Sequence, residues 1–120
     1  MKISIIGSGY VGRVSGAGLA EAGHNVVCMD VDADRVENLR QGKSPIYEPG
    51  LDEMLVANSE RGHLSFSTSL EEAVNHAEAL LIAVGTPPSE DGSADLGHVL
   101  AVATGIGKVL SKPLLVIVKS

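Results

Sequence analysis

The segment Gly7-Ser8-Gly9-Tyr10-Val11-Gly12 constrains this chain more than any other. It follows a short apolar run, Ile3 to Ile6, and opens a helical pattern, so its glycines stand between a strand and a helix. Each glycine then has a physical task. Gly7 permits a tight turn. Gly9 lets the backbone approach a pyrophosphate where a β-carbon would collide. Gly12 allows the helix to pack closely on the strand. The free N–H groups and positive end of the helix face the phosphates. The competing reading is an ordinary glycine-rich β-α turn that holds no ligand.

Short apolar runs alternate with helical patterns along the rest of the chain. Val11, Val14, Gly18 and Ala22 are expected near one face of the first helix, which Gly23-His24-Asn25 stops. Val26 to Met29 reads as a second strand. Asp32 or Asp34 is expected to cap a helix carrying Val36 and Leu39 that ends near Gly42. Lys43 to Gly50 is a loop held by Pro45 and Pro49, and Leu51, Met54 and Leu55 mark a short helix after it. Leu64-Ser65-Phe66 is a weak third strand, and Leu70, Ala73, Val74 and Ala77 mark another helix. Ala79 to Val84 is apolar throughout, as a strand buried on both faces would be. Asp95 is the expected N-cap of a helix with Leu96, Val99, Leu100, Ala103, Ile106 and Leu110 on one side. Leu114 to Val118 is a fifth strand.

This alternation predicts an α/β domain with a parallel, right-handed, doubly wound sheet of the Rossmann type. Residues 1–120 form one domain with no internal boundary or repeat. The fifth strand is continuously apolar, which implies cover on both faces and a neighbour. The expectation is a domain truncated after that strand, the first part of a longer protein. Its open sheet edge is expected to favour association.

Composition narrows the partners. The net charge of −6 argues against nucleic acid or an anionic membrane as the main ligand. It does not oppose a phosphate held by backbone N–H groups. A single cysteine, Cys28, leaves no internal disulfide and fits a reducing compartment. The run after Met1-Lys2 is too short for a signal peptide, and no stretch approaches a membrane span, so a cytoplasmic setting is expected.

Asp30 is the second element of the site. It ends the second strand about twenty residues beyond the glycine turn, where a carboxylate can accept hydrogen bonds from the adenine ribose. Its charge would repel the extra phosphate of NADP, which favours NAD. A plain helix cap is the competing role for Asp30. Arg35 works the other way, since an arginine nearby can accommodate a 2′-phosphate; a contact with the adenosine, or solvent exposure, is the preferred reading. In a doubly wound sheet the fourth strand lies beside the first, and ligands bind between their carboxyl ends. Val84-Gly85-Thr86-Pro87-Pro88 falls there. Gly85 allows close approach, Thr86 offers a hydroxyl and Pro87 stiffens the loop. On local grounds a plain strand-ending turn is equally consistent.

Several separated motifs agree. Gly7 to Gly12 with Leu19-Ala20-Glu21, Gly23-His24 and Asp30 form one block. Gly42-Lys43-Ser44-Pro45-Ile46-Tyr47-Glu48-Pro49-Gly50-Leu51 forms a second. Val84-Gly85-Thr86-Pro87, Asp91-Gly92, Ala94-Asp95-Leu96 and Val118-Lys119-Ser120 form a third. Together they resemble the N-terminal NAD-binding domain of the UDP-glucose/GDP-mannose dehydrogenase family over essentially the whole chain. The proline-glutamate loop is the most specific part of the likeness.

The resemblance implies oxidation of the C6 alcohol of a nucleotide sugar to a carboxylate, with reduction of two NAD⁺. It implies that Gly9, Tyr10 and Val11 contact the pyrophosphate and that Asp30 meets the adenine ribose. Arg35 would lie near the adenosine, and Thr86 and Ser120 beside the cofactor. It also implies a catalytic cysteine in a C-terminal domain, forming a thiohemiacetal and then a thioester. The nucleotide-sugar substrate would be engaged mostly beyond Ser120. The family's substrates leave UDP-glucose and GDP-mannose open, with UDP-glucose preferred as the broader branch. An isolated fragment is expected to be inactive.

Two departures stand out. Arg13 takes a place where the family usually has a small or aliphatic residue. A cation in the first helical turn opposes the helix dipole, at a cost of about 0.3–1 kcal/mol when exposed, unless it reaches a phosphate. Cys28 lies mid-strand among Val26, Val27 and Met29, expected buried and inert, and cannot replace the missing cysteine. His24, His63, His76 and His98 are spaced as turn or surface residues, not as a metal site. The alternatives are a non-enzymatic NAD-sensing regulatory domain and a hydroxyacid or 6-phosphogluconate type of dehydrogenase. The Pro45 to Gly50 loop argues against both.

Overall fold

Short aliphatic runs form the strands and longer amphipathic patterns the helices, as β-branched and helix-favouring residues prefer. A computed structural model of the chain describes residues 1–43, 49–85 and 97–119. Among these, the elements run β1 (Lys2–Ile6), α1 (Tyr10–Glu21), β2 (Asn25–Met29), α2 (Ala33–Arg40), α3 (Leu51–Glu60), β3 (Leu64–Ser67), α4 (Leu70–His76), β4 (Ala79–Ile82), α5 (Gly97–Val109) and β5 (Leu115–Val118). The strands form one parallel sheet in the order β3-β2-β1-β4-β5. Ile5 in the centre pairs with Cys28 on one side and Leu81 on the other. The chain winds outward from β1 to β3 and then returns to place β4 on the free side of β1. The carboxyl ends of β1 and β4 therefore flank the point where the winding reverses.

Alternate strand residues feed two cores, as the pleat requires. Ile3, Ile5, Val26, Cys28, Leu64 and Phe66 meet Ala17 and Ala20 of α1, Val36 and Leu39 of α2 and Leu55 of α3. Ile6, Val27, Met29, Leu80 and Ile82 meet Ala73 and Val74 of α4 and Ile106 of α5. Full burial of a Val or Ile side chain contributes about 1.5–3 kcal/mol, so strands covered on both faces need near-continuous apolar sequence. Ser4 is the polar exception in β1; its hydroxyl donates to the Ala73 carbonyl at 2.6 Å and so costs little when buried. Asp32 is the cap of α2, accepting from the Arg35 N–H at 3.0 Å.

Three expectations are corrected. The buried face of α1 is Gly12, Arg13, Gly16, Ala17 and Ala20, while Val14, Gly18 and Ala22 are exposed. The helix lies against the sheet through its smallest residues, because close approach of backbones outweighs side-chain hydropathy here. On α5, Ile106 is buried with Val99, Val102 and Val109 partly covered, but Leu100 and Ala103 are exposed, as is Leu110 just after the helix. The β5 side chains, expected to be covered on both faces, are 41% to 61% exposed. Among the described residues β5 has β4 on one side and no helix packed along it. Asp95 and Leu96 lie outside the described residues.

Candidate cofactor-binding site

The glycine turn is wedged between strand ends. Gly7 has φ +109°, and its N–H donates to the Met29 carbonyl at 2.7 Å, tying the turn to the end of β2. A β-carbon on Gly7 would lie 2.7 Å from the Ala83 carbonyl oxygen just beyond β4. At Gly12 the obstruction is greater, with the Gly7 carbonyl oxygen 1.9 Å from where a β-carbon would sit. Gly12 thus lets α1 start directly over its own turn. Gly9 is the N-cap of α1 and has no atom near its missing β-carbon. It offers no side-chain cap, and the first turn carries no acidic residue. The first N–H groups of α1 are therefore left for an external acceptor, the arrangement an anion needs. Tyr10 is 61% exposed, while the Val11 side chain packs against the core under α1. Any contact of Val11 with a phosphate would be through its backbone.

Asp30 stands directly after β2 and is drawn to the turn. Its Oδ2 accepts from the Ser8 N–H at 2.9 Å and from the Ser8 hydroxyl at 2.7 Å. Its Oδ1 accepts from the Asp32 N–H at 3.0 Å. The Arg35 guanidinium approaches Oδ2 at 3.4 Å. Partial burial pushes the Asp30 carboxyl up, but the Asp32 N–H, the Ser8 hydroxyl and N–H and the Arg35 charge together outweigh it. The net effect holds Asp30 below the usual aspartate range, so it is an anion at neutral pH.

Beside this carboxylate lies an apolar cavity of about 410 Å³. Met29 and Val31 line it from the β2 end, Leu70 from α4, Val84 from the end of β4, and His98 and Val102 from α5. Its walls suit a flat, weakly polar ring, and Asp30 at its edge suits the hydroxyls of an attached sugar. Turn, carboxylate and cavity thus offer donors for an anion, an acceptor for hydroxyls and an apolar space for a ring.

The structure brings Gly7, Gly9, Tyr10, Val11, Gly12, Asp30 and Arg35 to one end of the sheet. Gly85 follows β4 and is exposed there. Thr86, Ser120 and residues 44–48 of the proline-glutamate loop lie outside the described residues. Sequence reasoning missed Ser8, Leu70, His98 and Val102. Ser8 stood inside the motif but at a position where any residue is allowed. The other three reach the site only through the fold, so no local signal marks them.

Arg13 is 7% exposed, with its Nε buried and unpartnered, so the cost given for an exposed cation does not apply to it. It is one of the buried residues of α1, with Gly12, Gly16, Ala17 and Ala20. Cys28 is buried, and desolvation pushes its thiol up to about 12, so it is inert as a nucleophile. No group of three potential metal ligands occurs among the described residues. Nor is any described helix long and apolar enough to cross a membrane.

Comparison with known proteins agrees with this geometry. The model of the NAD binding domain of the UDP-glucose/GDP-mannose dehydrogenase family matches residues 1–120. A UDP-glucose 6-dehydrogenase of Pseudomonas aeruginosa is 49% identical over 120 residues, which are 100% of this chain and 26% of that protein. The structure of a UDP-glucose dehydrogenase from Pyrobaculum islandicum superposes with a TM-score of 0.94 at 49% identity, covering 100% of this chain and 29% of the other. A ternary complex of GDP-mannose dehydrogenase from Pseudomonas aeruginosa gives 0.91 at 37% identity, covering 100% and 29%. The chain spans about a quarter of the length of the curated relatives it matches. With the whole chain matched and the dinucleotide geometry in place, this protein belongs to the UDP-glucose/GDP-mannose dehydrogenase family, as its NAD-binding domain.

Proposed function

We propose that this chain is the cofactor-holding part of a nucleotide-sugar 6-dehydrogenase that oxidises UDP-glucose to UDP-glucuronate with two NAD⁺. The observation that carries the reading is the ionised Asp30, held against the glycine turn at the mouth of an apolar cavity. The names of the most similar relatives support the UDP-glucose branch. GDP-mannose is the second reading, favoured by the likeness to GDP-mannose dehydrogenase.

In this reading the N–H groups of the turn and of Tyr10 and Val11 bind the pyrophosphate, and Gly9 leaves room for it. Asp30 accepts the adenine-ribose hydroxyls and repels a 2′-phosphate. Arg35 lies beside the adenosine. Gly85 allows close approach of the cofactor, and the family likeness implies that Thr86 and Ser120 lie beside it. NAD⁺, when bound, supplies the hydride acceptor. The sugar nucleotide and the nucleophile that would hold it are contributed outside residues 1–120. Cys28 takes no part. A reducing, cytoplasmic setting belongs to the same reading.

Titration calorimetry tests it. The chain should bind NAD⁺, and Asp30→Ala should weaken binding about tenfold, as loss of a charge-assisted hydrogen-bond acceptor would. An unchanged dissociation constant would remove Asp30 from the site. Mixed with UDP-glucose and NAD⁺, residues 1–120 alone should form no NADH; steady NADH formation would overturn their assignment as a cofactor-holding part only.

A further inference from the structure

The geometry points to Ser8 as a positioning residue that fixes the ribose-binding carboxylate of Asp30. This inference rests on the NAD reading above. In the G-x-G-x-x-G pattern the residue between the first two glycines is unrestricted. Here it is serine, 1% exposed, and both of its donors go to one atom. The Ser8 N–H reaches Asp30 Oδ2 at 2.9 Å and the hydroxyl at 2.7 Å.

A carboxylate offers about four lone-pair sites. Ser8 occupies Oδ2 with two donors. The Asp32 N–H takes one site on Oδ1 at 3.0 Å. That leaves capacity on Oδ1 for a ribose hydroxyl. The Arg35 contact, at 3.4 Å the longest of the four and made by a side chain 39% exposed, is a third approach to the Oδ2 that Ser8 already fills. The hydroxyl of Ser8 therefore does two things. It stops the carboxylate from rotating, so the acceptor is oriented before the ligand arrives. It also favours the ionised form, the form that accepts from a ribose hydroxyl without a competing proton. The charged and titratable groups around Asp30 are Arg35 and Asp32 on the α2 side and His98 on α5 across the cavity. The turn carrying Ser8 adds no charge of its own.

The test is NAD⁺ affinity of the full chain, measured between about pH 2.5 and 8, for the parent, Ser8→Ala, Ser8→Thr, Asp30→Ala and Ser8→Ala/Asp30→Ala. Ser8→Ala should weaken binding about three- to tenfold at neutral pH. Its loss of binding on acidification should begin at a higher pH than in the parent, because Asp30 then protonates more readily. Ser8→Thr keeps the hydroxyl and should return to within about twofold. With Ala at position 30, where no acceptor remains to be oriented, Ser8→Ala should cost nothing further. An equal cost in that background, or an unmoved acid limb, would overturn the role of Ser8. Should circular dichroism show Ser8→Ala unfolded, Ser8→Cys, of similar size but a weak donor, carries the same expectations. If the folded parent chain binds no NAD⁺ at any pH, the cofactor reading fails. If it binds normally and only the Ser8 effects are missing, the positioning role alone fails.

Discussion

Val26 to Met29 in β2 are at most 6% exposed, whereas Leu115 to Val118 in β5 are 41% to 61% exposed. The two strands have nearly the same apolar character. Strand β2 lies between β1 and β3, with α1 on one face and α4 on the other. Strand β5 has β4 beside it and, among the described residues, no helix along it. Hydropathy therefore marked both as strands but could not rank their contributions. Each covered aliphatic side chain is worth about 1.5–3 kcal/mol, and an uncovered one gains only a fraction of that. The same contrast separates the helices. Packed against the sheet through glycine and alanine, α1 covers the first core, whereas α5 buries Ile106 and leaves Leu100 exposed.

The sharpest break of this comparison is one substitution made in both helices. Gly12→Ala drives a β-carbon into the Gly7 carbonyl oxygen, and the backbone must move. We expect a loss of about 3 kcal/mol in urea unfolding, the upper end for overpacking, together with loss of NAD⁺ binding. Gly107→Ala in α5 meets open space and should stabilise by about 0.5–1 kcal/mol, the helix-propensity gain. Equal effects at the two sites would contradict the packing contrast.

Cavity formation tests the strands directly. Val26→Ala, at a site 0% exposed, should cost about 2 kcal/mol in the same measurement. Val118→Ala, at a site 56% exposed, should stay within about 0.5 kcal/mol of the parent. A large loss at Val118 would mean that β5 is covered in solution.

A smaller effect than at Gly12 or Val26 belongs to Arg13. Its buried, unpartnered Nε opposes the fold, and its charge opposes the dipole of α1. Arg13→Leu should therefore stabilise by about 1 kcal/mol in thermal unfolding while changing NAD⁺ affinity by no more than about threefold. A tenfold loss of affinity would make Arg13 a ligand residue.

Much of the fold was legible because parallel strands covered on both faces must be apolar runs, and Ile3 to Ile6, Val26 to Met29 and Ala79 to Ile82 are such runs. The face of α1 was misread because hydropathy weights Val14 above Gly16. A helix that must approach a sheet closely selects for smallness. Within the site, Gly7, Gly12 and Asp30 were legible because their tasks are local to a strand end. The roles of His98 and Leu70 were not, since each lies far along the chain from Asp30.

The sequence by itself determined the strand–helix alternation, the glycine turn and the carboxylate after β2, since backbone sterics and hydropathy act over a few residues. Only the tertiary structure decided that Ser8 locks Asp30, that α4 and α5 complete the cavity, and that β5 stands open while β2 is enclosed. Those outcomes depend on the order and register of parallel strands. Crossovers set that order across the whole chain, and the same apolar run is consistent with the centre of a sheet or its edge.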